Sequence, residues 1–358
     1  MNDFDYMTRA LELAARGLFT TTPNPRVGCV LVNDGAVVGE GWHARAGEPH
    51  AEVLALRAAG ERARGATAYV SLEPCHHHGR TPPCDEALIT AGVKRVVAAM
   101  QDPDARTAGQ GLAHLRAAGI DTQCGLREDE AREINIGFTS RVTRGRPWVR
   151  LKIAASLDGR TALASGQSQW ITGAAARRDG HHWRARACAV LTGIGTVKDD
   201  NPQLNVREVD TRRQPLRVVI DSRLEISPQA KILAGGGTLV FCARDDAARS
   251  KPLRERGAEI VVLPNAAGKV ELPAVLQELG RRGINELHVE AGHKLNGSLI
   301  REGCVDELLL YLAPCLLGDA AQGMAALGEL TALDARRRLR INETRMIEND
   351  LRLLARFV

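Results

Sequence analysis

The sequence predicts an α/β protein built from two domains. Its 358 residues exceed the usual size of a single hydrophobic core, so two domains are the default expectation. Segments with helical periodicity alternate with short apolar segments along the whole chain, which is typical of sheets covered by helices. The polar segment TRGRPWVRLK, residues 143–152, separates the two halves. We therefore expect domains at residues 1–145 and 146–358.

The first half predicts a sheet whose strands alternate with helices. An amphipathic helix near residues 6–18 precedes two strands, and Asn33-Asp34-Gly35 between them predicts a hairpin because these residues tolerate positive φ. Pro49 marks a helix start, because proline is favoured in the first helical turn. The strands are expected at 27–32, 36–41, 67–74, 93–100 and near 121, and the later helices at 49–64, 83–91 and 110–118.

The second half repeats this alternation with more continuous apolar strands. Such strands are expected where helices cover both faces of a sheet. Its predicted strands are 148–156, 188–193, 217–222, 238–243, 259–263, 286–292 and 307–314, with helices at 174–186, 272–280 and 296–302.

Composition narrows the class of protein. No stretch approaches about 18 apolar residues, and the amino-terminal segment lacks a basic region followed by an apolar one, so we expect a cytoplasmic protein without a membrane partner. The eight cysteines are too sparse for a disulfide scaffold. Aromatic residues make up 3% and the first 145 residues contain no lysine cluster, which argues against a nucleic-acid partner. We expect small-molecule substrates and a homo-oligomer.

Three residues of the first half form a candidate zinc site. His50 opens a predicted helix, and Cys75 and Cys84 flank the start of another. One imidazole and two thiolates leave a fourth zinc position for water, which is the catalytic arrangement. Two thiolates cancel the charge of the ion, so the water needs a nearby base, and Glu52 is suitably placed. His-x-Glu followed by Pro-Cys-x-x-Cys is the pattern of deaminases that act on nucleobases.

The second cysteine departs from that pattern. Eight residues, HHHGRTPP, separate Cys75 from Cys84 instead of two. A zinc site that only supports folding, or buried thiols, is the alternative, although a structural site would normally supply a fourth protein ligand. Three interpretations of the run His76, His77 and His78 stay open: an exposed polar loop, a contact to the substrate, or alternative ligands of the metal.

The second half lacks the GxGxxG fingerprint of dinucleotide-binding domains. The turn VEAGHKLNGSL is a better candidate, since a helix start offers unpaired N–H groups to a pyrophosphate. Ser222 and Arg223 at a strand end suit a 2′-phosphate and hence NADP, although an arginine in a solvated turn explains Arg223 equally well. The glycines at 235–237 indicate a loop between strands.

Short motifs distributed along nearly the whole chain share a pattern with one known family. They are TTPNPRVGCV, GEGWHARAGEPHAE, SLEPCHHHGRTPPC, QDPD, KIAASLDGRTA, SGQSQWIT, TGIGTVKDDNPQLNVR, VIDS and VEAG. These motifs resemble the bifunctional deaminase/reductase family of riboflavin biosynthesis, whose first domain carries the wide cysteine spacing. His76 and Asp85 depart from the family pattern. The resemblance implies an α/β fold with an N-terminal cytidine-deaminase-like α/β/α sandwich and a C-terminal domain similar to dihydrofolate reductase.

The resemblance also implies roles for individual residues. Zn²⁺ would be held by His50, Cys75 and Cys84, with Glu52 moving protons. The proton donor of the reductase stays open between Lys152 and Asp200. Contacts to NADPH are implied for Ala154, Trp170, Thr196, Asp200, Ser222, Gly292, His293, Lys294, Leu295, Asn296, Gly297 and Ser298. Contacts to the phosphoribosyl substrate are implied for Asn24, Ser168, Arg184, Leu204, Arg207 and Glu290.

The implied reactions are two successive steps on one phosphorylated scaffold. The first is hydrolytic removal of the 2-amino group of 2,5-diamino-6-(5-phosphoribosylamino)pyrimidin-4(3H)-one. The second is NADPH-dependent reduction of the ribosyl group of 5-amino-6-(5-phosphoribosylamino)uracil to a ribityl group. Two rival functions are a nucleic-acid deaminase, which the scarcity of aromatic residues disfavours, and a binding module stabilised by zinc. Chelation separates the last from an enzyme, because loss of a structural ion unfolds its domain.

Overall fold

The chain folds into two compact units, Met1–Gly145 and Arg146–Val358. A computed structural model describes residues 1–76, 82–105, 107–211 and 213–358. Within these ranges, no helix combines the length and the apolar character that a membrane span requires. His77 and His78 lie outside the described residues.

The first unit is a five-stranded sheet in the order β2-β1-β3-β4-β5. The strand β1 pairs antiparallel with β2 and β3, while β3, β4 and β5 are parallel. Its strands are β1 (Gly28–Asn33), β2 (Ala36–Trp42), β3 (Thr67–Val70), β4 (Arg95–Ala98) and β5 (Asp121–Cys124). Its helices are α1 (Asp3–Ala15), α2 (Ala51–Ala59), α3 (Cys84–Thr90), α4 (Gln110–Ala117), α5 (Glu128–Ile134) and α6 (Ile136–Arg144).

Helices cover both faces of this sheet, which gives the predicted α/β/α sandwich. Alternate residues of each strand point to opposite faces. Thus Leu31 packs in the core beneath α2, α3 and α4, whereas its neighbour Val32 packs in the core beneath α1 and α5. The hairpin between β1 and β2 also forms as predicted, with Asp34 at φ 48° and Gly35 at φ 76°.

The second unit is built on a nine-stranded sheet in the order β11-β10-β9-β8-β12-β6-β13-β16-β15. The strands from β11 to β13 in this order are parallel, and β16 and β15 extend the sheet antiparallel. The strands are β6 (Trp148–Ser156), β7 (Arg160–Ala162), β8 (Ala189–Gly193), β9 (Leu216–Ile220), β10 (Thr238–Cys242), β11 (Ala258–Val262), β12 (Glu286–Val289), β13 (Glu307–Ala313), β14 (Gln322–Gly323), β15 (Leu339–Ile347) and β16 (Asp350–Phe357). The helices are α7 (Ala174–Arg186), α8 (Ile194–Asp200), α9 (Ala247–Glu255), α10 (Leu272–Arg281) and α11 (His293–Arg301).

Several element bounds differ from the prediction for local reasons. The helix α2 ends at Ala59 because Gly60 adopts φ 57°, and a short 3₁₀ turn over Gly60–Ala63 replaces the expected last turn. The helix α11 begins three residues earlier than predicted, at His293, with Gly292 extended at its N-cap. The helices α5, α6, α8 and α9 and the hairpin of β15 and β16 were not predicted.

Candidate active sites

The first unit brings the three predicted zinc ligands together. His50 is the N-cap of α2, Cys75 follows β3, and Cys84 is the first residue of α3. The His50 Nδ1 atom lies 3.2 Å from the Cys84 Sγ atom and 3.6 Å from the Cys75 Sγ atom. The three donor atoms all lie within 4.8 Å of one another. One imidazole nitrogen and two sulfurs converging in this way fit a zinc ion.

The two thiols are electrostatically coupled. The hydrogen bond with Cys84 lowers the pKa of Cys75, and the contact with His50 lowers it further. The same bond, with burial, raises the pKa of Cys84. The backbone N–H of Cys84 also donates to the Cys75 sulfur over 3.4 Å. The arrangement thus already favours one thiolate, the form that binds a metal.

The buried carboxyl group of Glu52 lies beside these ligands. Its side chain is in the first turn of α2, and among the described residues its Oε2 atom has no hydrogen-bond partner. Burial raises the pKa of Glu52 to about 7, with the charge of Cys75 acting in the same direction. A carboxyl group that changes protonation near neutral pH suits general acid–base catalysis.

Close backbone packing holds α2 in place. A side chain at Gly41 of β2 would put its Cβ 2.3 Å from the carbonyl oxygen of Ala51, and one at Gly39 would lie 2.2 Å from that of Ala55. Both glycines therefore let the helix that carries Glu52 approach the sheet closely.

Asn24 lies on one side of this site, joined to it by His43. The His43 Nδ1–H donates to the carbonyl oxygen of Pro49 over 3.1 Å, which leaves the His43 Nε2 atom to accept from the Asn24 amide over 3.0 Å. The rings of His43 and His50 meet edge to face with centroids 5.0 Å apart. His43 was not predicted as a site residue, although it lies in the motif GWHARAG.

A buried carboxylate, Glu73, supports the loop before Cys75. Its two oxygens accept the backbone N–H groups of Asp102, Gly109 and Leu112 at 2.9 to 3.1 Å. Glu73 therefore ties the end of β3 to the start of α4. Sequence reasoning missed this role, because its partners are backbone groups about 29 to 39 residues away.

The second unit gathers several predicted residues around the carboxyl ends of β6, β8 and β12. Ligands of open α/β sheets bind at such strand ends. Ala154 lies on β6, Thr196 on α8 directly after β8, and Glu290 and Gly292 follow β12. A Cβ at Gly292 would lie 3.7 Å from the Thr196 Oγ1 atom, so the turns after β8 and β12 are neighbours.

Arg184 and Glu290 form a bidentate ion pair in this region. The Arg184 Nη2 atom donates to Glu290 Oε2 over 2.8 Å, and its Nε donates to the other oxygen. Against the cost of burial, the charge of Arg184 and its hydrogen bond hold the pKa of Glu290 well below its usual range. The nearby Lys152 adds positive charge, and burial lowers its own pKa. Two N–H donors of Arg184 are thus bonded to Glu290 and do not point toward a space that a ligand could occupy.

The predicted residues Leu204 and Arg207 lie on the loop beyond α8. Leu204 is buried with φ 49°, and the Arg207 side chain is exposed, with Nη1 2.8 Å from Asn205 Oδ1. The backbone N–H of Arg207 donates to His181 Nδ1 over 3.2 Å. Burial lowers the pKa of His181 to about 4, assisted by the charges of Arg184 and Arg207, so this ring accepts as the neutral form.

The loop before α7 carries Ser168 and Trp170. Trp170 is 70% exposed, and the Arg177 guanidinium lies over its ring at 4.6 Å. Gln169 donates to the Asp200 carboxylate over 3.2 Å, which joins this loop to the end of α8. Arg177 therefore covers one face of the Trp170 ring, and the rest of this side chain is exposed near the predicted cofactor residue Asp200.

The turn at 292–298 divides into two parts. Gly292 and His293 form the start of α11, whereas Asn296 and Gly297 are buried against the segment 324–326. The Asn296 amide donates to the Met324 carbonyl over 3.0 Å, and a Cβ at Gly297 would lie 2.2 Å from the Ala326 carbonyl oxygen. Asn296 and Gly297 thus contribute packing, and the helix start is the part open to a ligand.

Three other residues predicted for cofactor contacts have protein partners here. The Ser222 hydroxyl oxygen accepts the backbone N–H of Val270 over 3.1 Å. Leu295 packs against the core and lies beside Gly193, and the Ser298 hydroxyl accepts from Arg301 over 3.2 Å.

Comparison with known families agrees with this division of the chain. Residues 1–100 match the cytidine and deoxycytidylate deaminase zinc-binding region, and residues 147–353 match the RibD C-terminal domain. The first match contains the three converging donors and Glu52, and the second contains the strand ends around Glu290.

Relatives of the same length cover almost the entire chain. The riboflavin biosynthesis protein RibD of Escherichia coli is 50% identical over 98% of this chain and 98% of its own length. The protein of the same name from Haemophilus influenzae is 48% identical over 98% of this chain and 96% of its own.

Solved structures of relatives share the fold. Acinetobacter baumannii RibD superposes with a TM-score of 0.93 at 44% identity over 99% of both chains. A Thermotoga maritima protein, described as a diaminohydroxyphosphoribosylaminopyrimidine deaminase/5-amino-6-(5-phosphoribosylamino)uracil reductase, superposes with a TM-score of 0.88 at 32% identity over 99% of both chains. The chain therefore belongs to the RibD family of riboflavin biosynthesis proteins, bifunctional enzymes that combine a zinc-binding deaminase domain with a reductase domain.

Proposed function

We propose that residues 1–145 deaminate 2,5-diamino-6-(5-phosphoribosylamino)pyrimidin-4(3H)-one and that residues 146–358 reduce the product with NADPH. The observation that carries the first assignment is the convergence of His50, Cys75 and Cys84 beside the buried Glu52. The Thermotoga relative named for the same two activities, at 32% identity over 99% of both chains, supports the substrate.

The deaminase step is a hydrolysis in which Glu52 handles the protons. His50, Cys75 and Cys84 would hold a zinc ion, which would supply the Lewis acidity that makes water a stronger acid. Glu52 takes a proton from the attacking water as its oxygen bonds to C2 of the pyrimidine. It then delivers a proton to the exocyclic nitrogen, the C2–N bond breaks, and ammonia leaves. Burial raises the pKa of Glu52 above that of an ordinary glutamate, which suits one carboxyl group to both accept and return that proton.

The reductase step needs a fixed anion, a cation and a proton donor near the opened ribose. When bound, NADPH would supply the hydride for reduction at C1. Glu290, held ionised by Arg184, accepts hydrogen bonds from substrate hydroxyl or amino groups. Arg207 is exposed and can bind the phosphate. Of the two candidate proton donors, Lys152 is favoured over Asp200, because Lys152 lies close to Glu290 whereas the Asp200 carboxylate already accepts a hydrogen bond from Gln169.

The location and assembly of the enzyme are part of the same proposal. All eight cysteines are free thiols, which suits the reducing cytoplasm. The edge strand β15 exposes Ile341 and Met346, and apolar side chains on an open sheet edge favour pairing with a second copy. Light scattering of the purified chain would test for the homo-oligomer.

The proposed function is tested by following ammonia release and NADPH oxidation in parallel on the diaminopyrimidine substrate. Zinc is determined on the same sample, and NADH replaces NADPH in a matched reaction. Ammonia release that precedes NADPH consumption, with NADH much less effective, is the expected result. Zinc without ammonia release would refute the deaminase assignment, and ammonia release without oxidation of either nucleotide would refute the reductase assignment.

A further inference from the structure

A second cluster of metal-binding side chains lies beside the first. Asp85 Oδ2 lies 2.6 Å from His76 Nδ1 and 2.8 Å from His114 Nδ1. One ligand atom from each residue can be chosen so that all three lie within 4.8 Å of one another. Both Nδ1 atoms thus face the same Asp85 oxygen, and the two imidazole rings meet edge to face, with centroids 4.8 Å apart and planes at 62°.

The buried carboxyl group of Asp85 suggests that this cluster binds a cation. Its side chain is completely buried, and its second oxygen accepts the backbone N–H of Glu86 over 2.8 Å. Within the described ranges, its only ion-pair partners are the two imidazoles, each of which carries charge only when protonated. Buried carboxylates are normally paired with a cation or bound to a metal.

The backbone around the cluster is fixed by contacts of its own. A Cβ at Gly111 would lie 2.1 Å from the Pro74 carbonyl oxygen, so α4 packs directly on the segment that leads to His76. His114 is three residues after Gly111 and therefore shares its helix face. The Glu73 carboxylate also holds the N–H groups of Gly109 and Leu112. The three side chains are thus presented by packed elements.

We propose that His76, Asp85 and His114 bind a second divalent transition-metal ion, separate from the ion of the His50, Cys75 and Cys84 site. Two imidazoles and one carboxylate suit Zn²⁺, Co²⁺ or Fe²⁺ and leave further coordination positions open. The histidine side chains are 36% and 37% exposed, which gives an ion and its water ligands access to the cluster.

The second ion would act on the loop that carries the first. His76 directly follows Cys75, and Asp85 directly follows Cys84. An ion bound to both would join the two ends of the loop and attach them to α4 through His114. The site therefore has a structural role in keeping the two cysteines at a fixed separation. This inference does not depend on the proposed substrates.

The test measures metal content on the full-length chain. Protein stripped of metal is reloaded with Co²⁺, freed of excess ion, and measured by mass spectrometry of the metal and by absorption spectroscopy. Wild type is expected to hold two ions per chain. H114Q is expected to hold one and to keep the thiolate-to-cobalt charge-transfer band. The double variant H50A/C75S is expected to hold one ion without that band.

Controls keep the outcome decisive. H182Q removes an exposed histidine of the second unit and should leave two ions. H76S repeats the loss of one ion from the opposite side of the cluster, which guards against a folding defect in a single variant. One ion per chain in wild type, or the same count in wild type, H76S and H114Q, would overturn the proposal. Neither result bears on the proposed deaminase, whose failure is read from ammonia release.

Discussion

Replacing Glu52 with glutamine is the most direct test of its role. The two side chains have the same shape, and the Glu52 Oε2 atom has no hydrogen-bond partner within the described part of the chain, so an amide NH₂ group in its place breaks no bond seen there. Because burial raises the pKa of Glu52 to about 7, much of the carboxyl is already neutral at that pH. We therefore expect the variant to cost no more than about 1 kcal/mol of unfolding free energy.

The expected effect on catalysis is much larger. General acid–base groups contribute roughly 10² to 10⁴ in rate, which corresponds to about 3 to 5 kcal/mol of activation free energy. An amide cannot carry the proton, so the whole of this contribution should disappear. The substitution leaves His50, Cys75 and Cys84 intact, and zinc content should not change.

The assay is the initial rate of ammonia release at saturating substrate, with zinc content and thermal unfolding measured on the same samples. Glu48→Gln is the matched control, because Glu48 is an exposed glutamate four residues earlier. Reduction of supplied deaminated intermediate should persist in the Glu52→Gln variant. An ammonia rate within about threefold of wild type, with zinc retained, would refute the role of Glu52 as the proton carrier.

Three further predictions address packing, substrate binding and pH. Gly41→Ala should displace α2, because the new Cβ would lie 2.3 Å from a backbone oxygen, and the rate of ammonia release should fall more than tenfold. Gly180→Ala is the control, because a Cβ at Gly180 meets open space, and it should leave the rate of ammonia release unchanged. Arg207→Ala should raise the reductase KM by about tenfold or more, since charged hydrogen bonds contribute about 1.5 to 3 kcal/mol, and an unchanged KM would exclude phosphate binding by this residue. His181 takes up a proton near pH 6.5 in the unfolded chain but only near pH 4 in the folded chain. The free energy of unfolding should therefore decrease as the pH falls from about 6.5 to about 4. Urea unfolding should show wild type losing about 2 kcal/mol more than His181→Gln between pH 7 and pH 5, and equal losses would contradict the burial argument.

The elements and ligands that could be predicted from sequence are those with a local pattern. The hairpin at Asn33-Asp34-Gly35 follows from turn chemistry, and the helix α10 follows from the apolar spacing of Leu272, Val275 and Leu279. The convergence of His50 and Cys75 could be predicted because their residue types and spacing indicate a metal site regardless of the surrounding fold.

Features that depend on distant partners could not be predicted. The carboxylate of Glu73 resembles any other glutamate until the structure places three backbone N–H groups around it. The cluster of His76, Asp85 and His114 escaped for the same reason, because α4 must fold onto the cysteine loop before His114 meets the other two. The helix α9 buries only Ser250 and Leu253 and contains Pro252, so its sequence shows no apolar periodicity.

The two units hold buried glutamates in opposite electrostatic settings, which bears on the proposed mechanism. Glu52 forms no hydrogen bond with a basic side chain among the residues that the structure describes, and burial raises its pKa, whereas Arg184 lowers the pKa of Glu290. A dication bound nearby would lower the pKa of Glu52 from about 7. It would not, however, form the two hydrogen bonds by which Arg184 keeps Glu290 ionised. Glu52 can therefore exchange a proton, and Glu290 can only remain an anion. The proton of the reductase step must then come from another group, which is the physical reason for assigning it to Lys152 rather than to the carboxylate beside it.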